Sequence, residues 1–240
     1  MKAYERMKEI ELQLAGALRQ QLERIPSLEI RSITAEAELQ ANGSVSAPRP
    51  DVLAQVRIHN HEVTLVCEVK DPAYPRQVRQ AIDTLSLYMV RSENKALNEN
   101  MVPLVAASWL SPESREICAE AGMGWLDLAG NCRIAFDGVF IERETAERPK
   151  PAARNYRAVF SPKAGRVLRT LLRDPARTWK VTELAEASDV SLGHVSNVRS
   201  AVRDREWGTV GEEGLHLTAP DALLDAWRDS YEPVRGKRTS

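Results

Sequence analysis

The sequence predicts a two-part chain, a mixed α/β layer domain followed by a smaller, mostly helical one. Three observations lead there. Strand-like and helix-like segments alternate through the first part, which is the pattern of an α/β layer structure. A proline-containing stretch without apolar period, Glu144–Arg157 (ETAERPKPAARNYR), then interrupts the pattern. Charge changes across it as well. Residues 148–240 hold 17 Lys and Arg against 12 Asp and Glu, leaving 16 against 22 for the rest of the chain. An acidic front and a basic back suggest two units with different tasks, and the basic one is a candidate for binding nucleic acid. The expected division is residues 1–147, a linker over 148–160, a second domain over 161–231 and a tail over 232–240.

The elements follow in order. Met7, Ile10, Leu14, Ala17, Leu18 and Leu22 recur at helical spacing, and Pro26 ends the helix they define. Leu28–Ile33 alternates as a short strand. Asn42–Pro50 (NGSVSAPRP) reads as a loop. Val52–Ile58 and Val63–Val69 are strands joined through His59-Asn60-His61, hence a hairpin. Arg76–Met89 is a helix with Val78, Ile82, Leu85 and Met89 on one face. Val102–Ala107 reads as a buried strand. Pro112–Ala121 is a helix with Ser111 as its cap and Gly122 as its stop. Trp125–Leu128 and Val139–Arg143 read as further strands.

In the second part, Ser161 and Pro162 open a helix whose core face is Val167, Leu168, Leu171 and Leu172. Thr182 is expected to cap a short helix through Ala187, and Ser191 a longer one to about Arg205. Two short apolar pieces around Glu213-Gly214 suggest a hairpin. Pro220 opens a last helix with Leu223, Leu224 and Trp227 inward. Three helices and then a hairpin is the order of a winged helix-turn-helix. Leu184, Ala185, Val190, Val195 and Val198 have the spacing that two helices crossing at a tight turn require, with Ala185 as the small residue at the crossing. Ser188 stands where an apolar residue is usual and Asp189 where glycine is common, although Asp tolerates the left-handed conformation. Leu192, Val195, Val198 and Val202 are expected inward. His194, Ser196, Asn197, Ser200 and Arg203 then face outward with Arg199 at the flank, a set suited to bases and phosphates. The plainer reading is a solvated helix face that binds protein.

Several classes are disfavoured. No run approaches the roughly 18 apolar residues that span a bilayer. The charged start, Met1–Arg24, lacks the apolar core of a signal peptide. Cys67, Cys118 and Cys132 have neither zinc nor disulfide spacing, so a reducing, cytoplasmic setting is expected. His194 and His216 lack ligand spacing. The tail Glu232–Ser240 has no structural stop, which is equally compatible with a piece of a longer protein.

The chemistry is concentrated in Pro50-Asp51 and Glu68-Val69-Lys70. Strand alternation puts Glu68 and Lys70 on one face, and the hairpin sets Asp51 almost opposite Glu68. Two carboxylates suit Mg²⁺ or Mn²⁺, which polarise a phosphoryl oxygen and lower the pKa of a bound water. A lysine can orient that water and stabilise developing charge. The bland alternative is a surface Glu–Lys pair beside a turn carboxylate.

On these residues Met1–Arg143 resembles the PD-(D/E)xK nuclease superfamily, the restriction-endonuclease-like fold. The resemblance implies Asp51 and Glu68 as metal ligands, Lys70 as catalytic lysine, and supporting roles for Gln77 or Gln80 and for Glu11 on the first helix. The segment Gly124-Trp125-Leu126-Asp127-Leu128-Ala129-Gly130-Asn131, with a winged helix attached, is similar to the AbiEi-type antitoxin and transcriptional-regulator group. Typical members of that group carry the winged helix at the N-terminus, and the bland reading of the segment is a strand ending in a tight turn. Two functions follow, a Mg²⁺-dependent endonuclease acting on double-stranded DNA and a non-catalytic operator-binding regulator or antitoxin; a structural subunit of a larger complex is a third. The sequence leaves open a homodimer and a cognate protein partner.

Overall fold

The alternation of short apolar runs with amphipathic helices builds one mixed sheet, covered on both faces. The computed structural model describes residues 2–35, 50–91, 100–145 and 158–230. Residues 42–49 of the expected loop, 146–157 of the linker and the whole tail from 231 lie outside the described residues. The chain divides into two compact units, Met1–Arg148 and Pro149–Ser240.

In the first unit the elements are α1 (Lys2–Leu22), β1 (Leu28–Ala35), β2 (Val52–Ile58), β3 (His61–Val69), α2 (Pro75–Arg91), β4 (Met101–Ala107), α3 (Pro112–Glu120), β5 (Gly124–Asp127), β6 (Cys132–Phe136) and β7 (Val139–Arg143). The seven strands lie side by side in chain order. β1, β2 and β3 are antiparallel, β3, β4 and β5 parallel, and β5, β6 and β7 antiparallel again. Parallel neighbours need a crossover, and α2 and α3 supply the two that this order demands.

Period-two alternation sends the strand residues to two cores. Val52, Ala54, Val56, Val63, Leu65, Cys67 and Val69 pack with Ile10, Leu14, Leu18 and Leu22 of α1. Leu53, Val66, Val105 and Trp125 pack on the other side with Val78, Ala81, Leu85 and Tyr88 of α2 and with Ile117 and Cys118 of α3. Each fully buried aliphatic side chain of α1 contributes about 1.5–3 kcal/mol, which outweighs the mediocre helix propensity of its polar face.

Three details differ from the sequence reading. β6 is an additional strand, short and interrupted by Arg133 and Ala135, so its alternation is too weak to register. β3 begins at His61, because a two-residue turn at His59-Asn60, with His59 at φ 46°, brings His61 opposite Ile58. The buried stripe of α2 runs through Val78, Ala81, Leu85 and Tyr88, with Ile82 packed at its edge as expected and Tyr88 in the place expected of Met89.

The second unit contains α4 (Pro162–Arg173), α5 (Val181–Ser188), α6 (Leu192–Asp204), β8 (Gly208–Gly211), β9 (Gly214–Leu217) and α7 (Pro220–Ser230). Its core joins Val167, Leu168, Leu171, Leu184, Val195, Val198, Val202, Trp207, Leu215, Leu217 and Leu223. β8 and β9 form an antiparallel ribbon, and Trp179 extends it by bridging to Leu215. Gly214 has φ 133°, and a Cβ there would strike the Trp179 carbonyl, so the turn requires glycine.

The α5–α6 turn solves both anomalies of its sequence. Asp189 adopts the left-handed conformation (φ 51°, ψ 53°) and closes α5. The buried Ser188 donates its hydroxyl to the Leu184 carbonyl at 2.6 Å, which satisfies a polar group at an apolar position. The start of α5 is a correction: the cap is Lys180, whose backbone N–H donates to the Glu183 carboxylate at 3.4 Å, and Thr182 lies inside the helix. Ser161 and Ser191 hold the expected cap positions without a side-chain hydrogen bond to the helix. Leu192 and Leu224 are corrections too. Both were expected inward, and they are 52% and 49% exposed.

Candidate functional site

The β2–β3 register places Val52 opposite Cys67, so Asp51 and Glu68 stand opposite each other at the next step. Asp51 N–H donates to the Cys67 carbonyl at 3.1 Å, which continues the ladder past the strand end. The Asp51 carboxylate in turn accepts Val69 N–H through Oδ2 at 2.6 Å, and this fixes its rotamer. Cys67 and Val69 point towards α1, so Glu68 and Lys70 project from the other face, the one that α2 covers.

Lys70 Nζ donates to Glu68 Oε1 at 2.6 Å. Glu68 is only 7% exposed, and its Oε2 is buried without a hydrogen-bond partner. Burial pushes the Glu68 pKa up and repulsion from Asp51 adds to it, while the hydrogen bond and charge of Lys70 and the nearby Tyr88 hydroxyl pull the other way. Tyr88 is raised in its turn, first by burial and then by Glu68 and Asp51, so its phenol stays protonated and can donate. The neighbouring Cys67 thiol is pushed up to about 12, by burial first and then by Asp51, and is inert.

Asp51, Glu68 and Lys70 therefore form one cluster of two acids and one amine. Both acids offer hard oxygen atoms, and Glu68 keeps an orphaned buried oxygen, the kind of atom a cation would satisfy. Among the described residues no group of three or more His, Cys, Asp or Glu side chains is gathered to hold a metal. A two-carboxylate site nevertheless suits Mg²⁺, which keeps waters and takes further oxygens from a phosphate. The residues present thus fit the ion.

The supporting residues separate. Gln77 lies three turns before Tyr88 on the same stripe of α2, half-buried, with Oε1 buried and unpartnered. Gln80 is exposed. Glu11 is buried on α1, the helix that packs against the opposite face of the sheet from Glu68. Sequence reasoning missed Tyr88, because the helix stripe was aligned one residue away. It also missed Asp71, which follows Lys70 directly. Asp71 Oδ2 accepts from Arg6 Nη2 at 3.0 Å and its Oδ1 from the Ser108 hydroxyl.

On α6, Ser196, Asn197 and Ser200 are exposed, and His194, Arg199 and Arg203 are half-buried. Arg203 forks onto Asp204 at 2.9 and 3.0 Å, whereas Arg199 Nε and His194 Nε2 are buried without a partner. The Gly124–Asn131 segment is a buried polar turn. Asp127 accepts from the backbone of Leu110, Ala129 and Asn131 and from the Asn131 amide, and Asn131 Oδ1 accepts from Thr145. A fully satisfied network of this kind holds strand ends in register.

No family model and no curated protein matches the chain. A solved structure, the apo form of EndoMS, is similar over 48% of this chain and 45% of that one, at 12% identity and a TM-score of 0.29. The chain therefore spans less than half of that protein's length. A likeness of this extent fixes neither family nor chemistry. Among the described residues no helix is long and apolar enough to cross a membrane.

Proposed function

We propose that the first unit is a restriction-endonuclease-like, divalent-metal-dependent hydrolase of DNA phosphodiesters, and that the second is a winged helix-turn-helix that binds duplex DNA. One observation carries the reading. Asp51, Glu68 and Lys70 share one end of a hairpin, with a buried carboxylate oxygen left unsatisfied. Desolvating such a group is costly, and a fold keeps it only where something else is gained.

Asp51 and Glu68 would hold Mg²⁺ or Mn²⁺. Such an ion, when bound, neutralises phosphoryl charge and acidifies water. Lys70, held by Glu68, would supply an ammonium able to orient an attacking water and stabilise charge on the phosphate oxygens. Water oxygen forms the new P–O bond, the ester P–O bond breaks, and the leaving oxygen departs as a hydroxyl with a proton derived from water. The buried Tyr88 phenol lies close enough to Glu68 for the two groups to influence each other's ionisation.

In the second unit the exposed amide of Asn197 and hydroxyls of Ser196 and Ser200 suit base edges in the major groove, and Arg199 suits a phosphate. Plasmid nicking tests the whole. Supercoiled DNA with Mg²⁺ or Mn²⁺ should be relaxed by the protein but not by Lys70→Ala or Asp51→Ala. Selective promoter binding without nicking would favour the regulator or antitoxin reading instead.

A further inference from the structure

Arg6 projects from the first turns of α1 with a side chain 71% exposed, yet its guanidinium is tethered. Nη2 bonds Asp71 Oδ2 at 3.0 Å, and the Asp71 side chain is only 9% exposed. The Ser108 hydroxyl pins the other oxygen of Asp71. Asp71 follows Lys70, whose backbone N–H donates to Ala106 of β4 at 3.0 Å, and Ser108 is the first residue after β4. The tether thus stands where the parallel strands β3 and β4 end, the same sheet end as the Glu68–Lys70 pair. Carboxyl ends of parallel strands are where α/β sheets present ligand sites.

An exposed Arg–Asp pair normally adds little to stability. Here the acid is buried and fixed by a second donor, so the arrangement orients the arginine more than it glues the helix. Guanidinium carries five N–H donors in a planar fork, and the Asp71 bond engages one of them. The others face solvent in a geometry that matches a phosphate bidentately.

We propose that Arg6 binds a backbone phosphate of duplex DNA at the sheet end that carries the Asp51–Glu68–Lys70 cluster, from the α1 side, with Asp71 and Ser108 as its positioning residues. This rests on the hydrolase reading for the identity of the neighbouring site. The contact lies away from the bond that breaks, so it contributes substrate affinity and leaves the chemical step alone.

The experiment is fluorescence anisotropy of a labelled 20-base-pair duplex with the full chain in Ca²⁺, across a salt series, for wild type, Arg6→Ala, Arg6→Lys and Asp71→Asn. Arg6→Ala should raise Kd about tenfold and lower the salt slope by about one counterion. Arg6→Lys should recover the slope but not the full affinity, because a point charge replaces a fork. Asp71→Asn should fall between Arg6→Ala and wild type. Unchanged Kd and slope in Arg6→Ala, with a lowered melting temperature, would mean a structural staple and overturn the proposal. A parallel nicking assay separates the two readings: Arg6-dependent binding without metal-dependent nicking contradicts the hydrolase while the phosphate contact stands.

Discussion

The two units hold their candidate functional residues in opposite ways. At the β2–β3 end, Glu68 is buried, its pKa raised chiefly by that burial, and tied to Lys70. On α6, Ser196, Asn197 and Ser200 lie in solvent at almost no cost to the fold. A buried ionisable cluster costs stability and needs a purpose, whereas an exposed polar helix face is cheap and proves little by itself. The first arrangement suits chemistry that requires a desolvated, pre-oriented site; the second suits recognition built from many small increments. Substitutions should therefore act all-or-none in the first unit and gradually in the second.

The largest effect should come from Lys70→Ala, with metal-dependent nicking falling by about 10²–10³-fold or more, read as initial rate on supercoiled plasmid. Tyr88→Phe comes next. Loss of the hydroxyl beside Glu68 should weaken Mn²⁺ binding by about tenfold or more, measured by titration calorimetry, with the melting temperature little changed. In the second unit the expected losses fall on recognition and affinity, not on the chemical step. Asn197→Ala should cost about 1–3 kcal/mol of discrimination at one base pair, while Arg199→Ala should weaken binding uniformly across sequences and lower the salt slope by about one. Arg203→Ala should do less than Arg199→Ala, because Asp204 already occupies its guanidinium.

The smallest effect sharpens the contrast most. The folded pKa of Glu68 is raised, chiefly by burial. Its contribution to stability is then complete below the unfolded value of about 4.3 and is lost as pH rises through the folded value. In EDTA, Glu68→Gln should melt higher than wild type at pH 8 and lose that advantage towards pH 4. Parallel melting curves at every pH would show that the carboxylate is not held against its solvation.

Much of this was legible in the sequence, for identifiable reasons. Val52–Ile58 alternates cleanly, which set the hairpin register and with it the opposition of Asp51 and Glu68. Ile10, Leu14, Leu18 and Leu22 repeat at one spacing over about four turns, so the stripe of α1 was legible despite the off-stripe, exposed Leu12. On α2, Met89 competes with Tyr88 for the last turn of the stripe, and apolarity alone favoured Met89. That choice hid Tyr88, whose amphipathic ring is buried with its hydroxyl at a carboxylate. The Arg6–Asp71–Ser108 tether joins residues far apart in the chain and leaves no local pattern. Leu192 looked like core at a helical spacing, but it is the first residue of α6 and is half exposed.

The direct test is Mn²⁺ titration of the metal-free protein by calorimetry, alongside Asp51→Ala and Glu68→Gln. A shared carboxylate pocket predicts saturable binding in the wild type that disappears in both variants while their melting behaviour stays cooperative. Saturable binding that persists in Asp51→Ala, or none in the wild type at millimolar Mn²⁺, would contradict it.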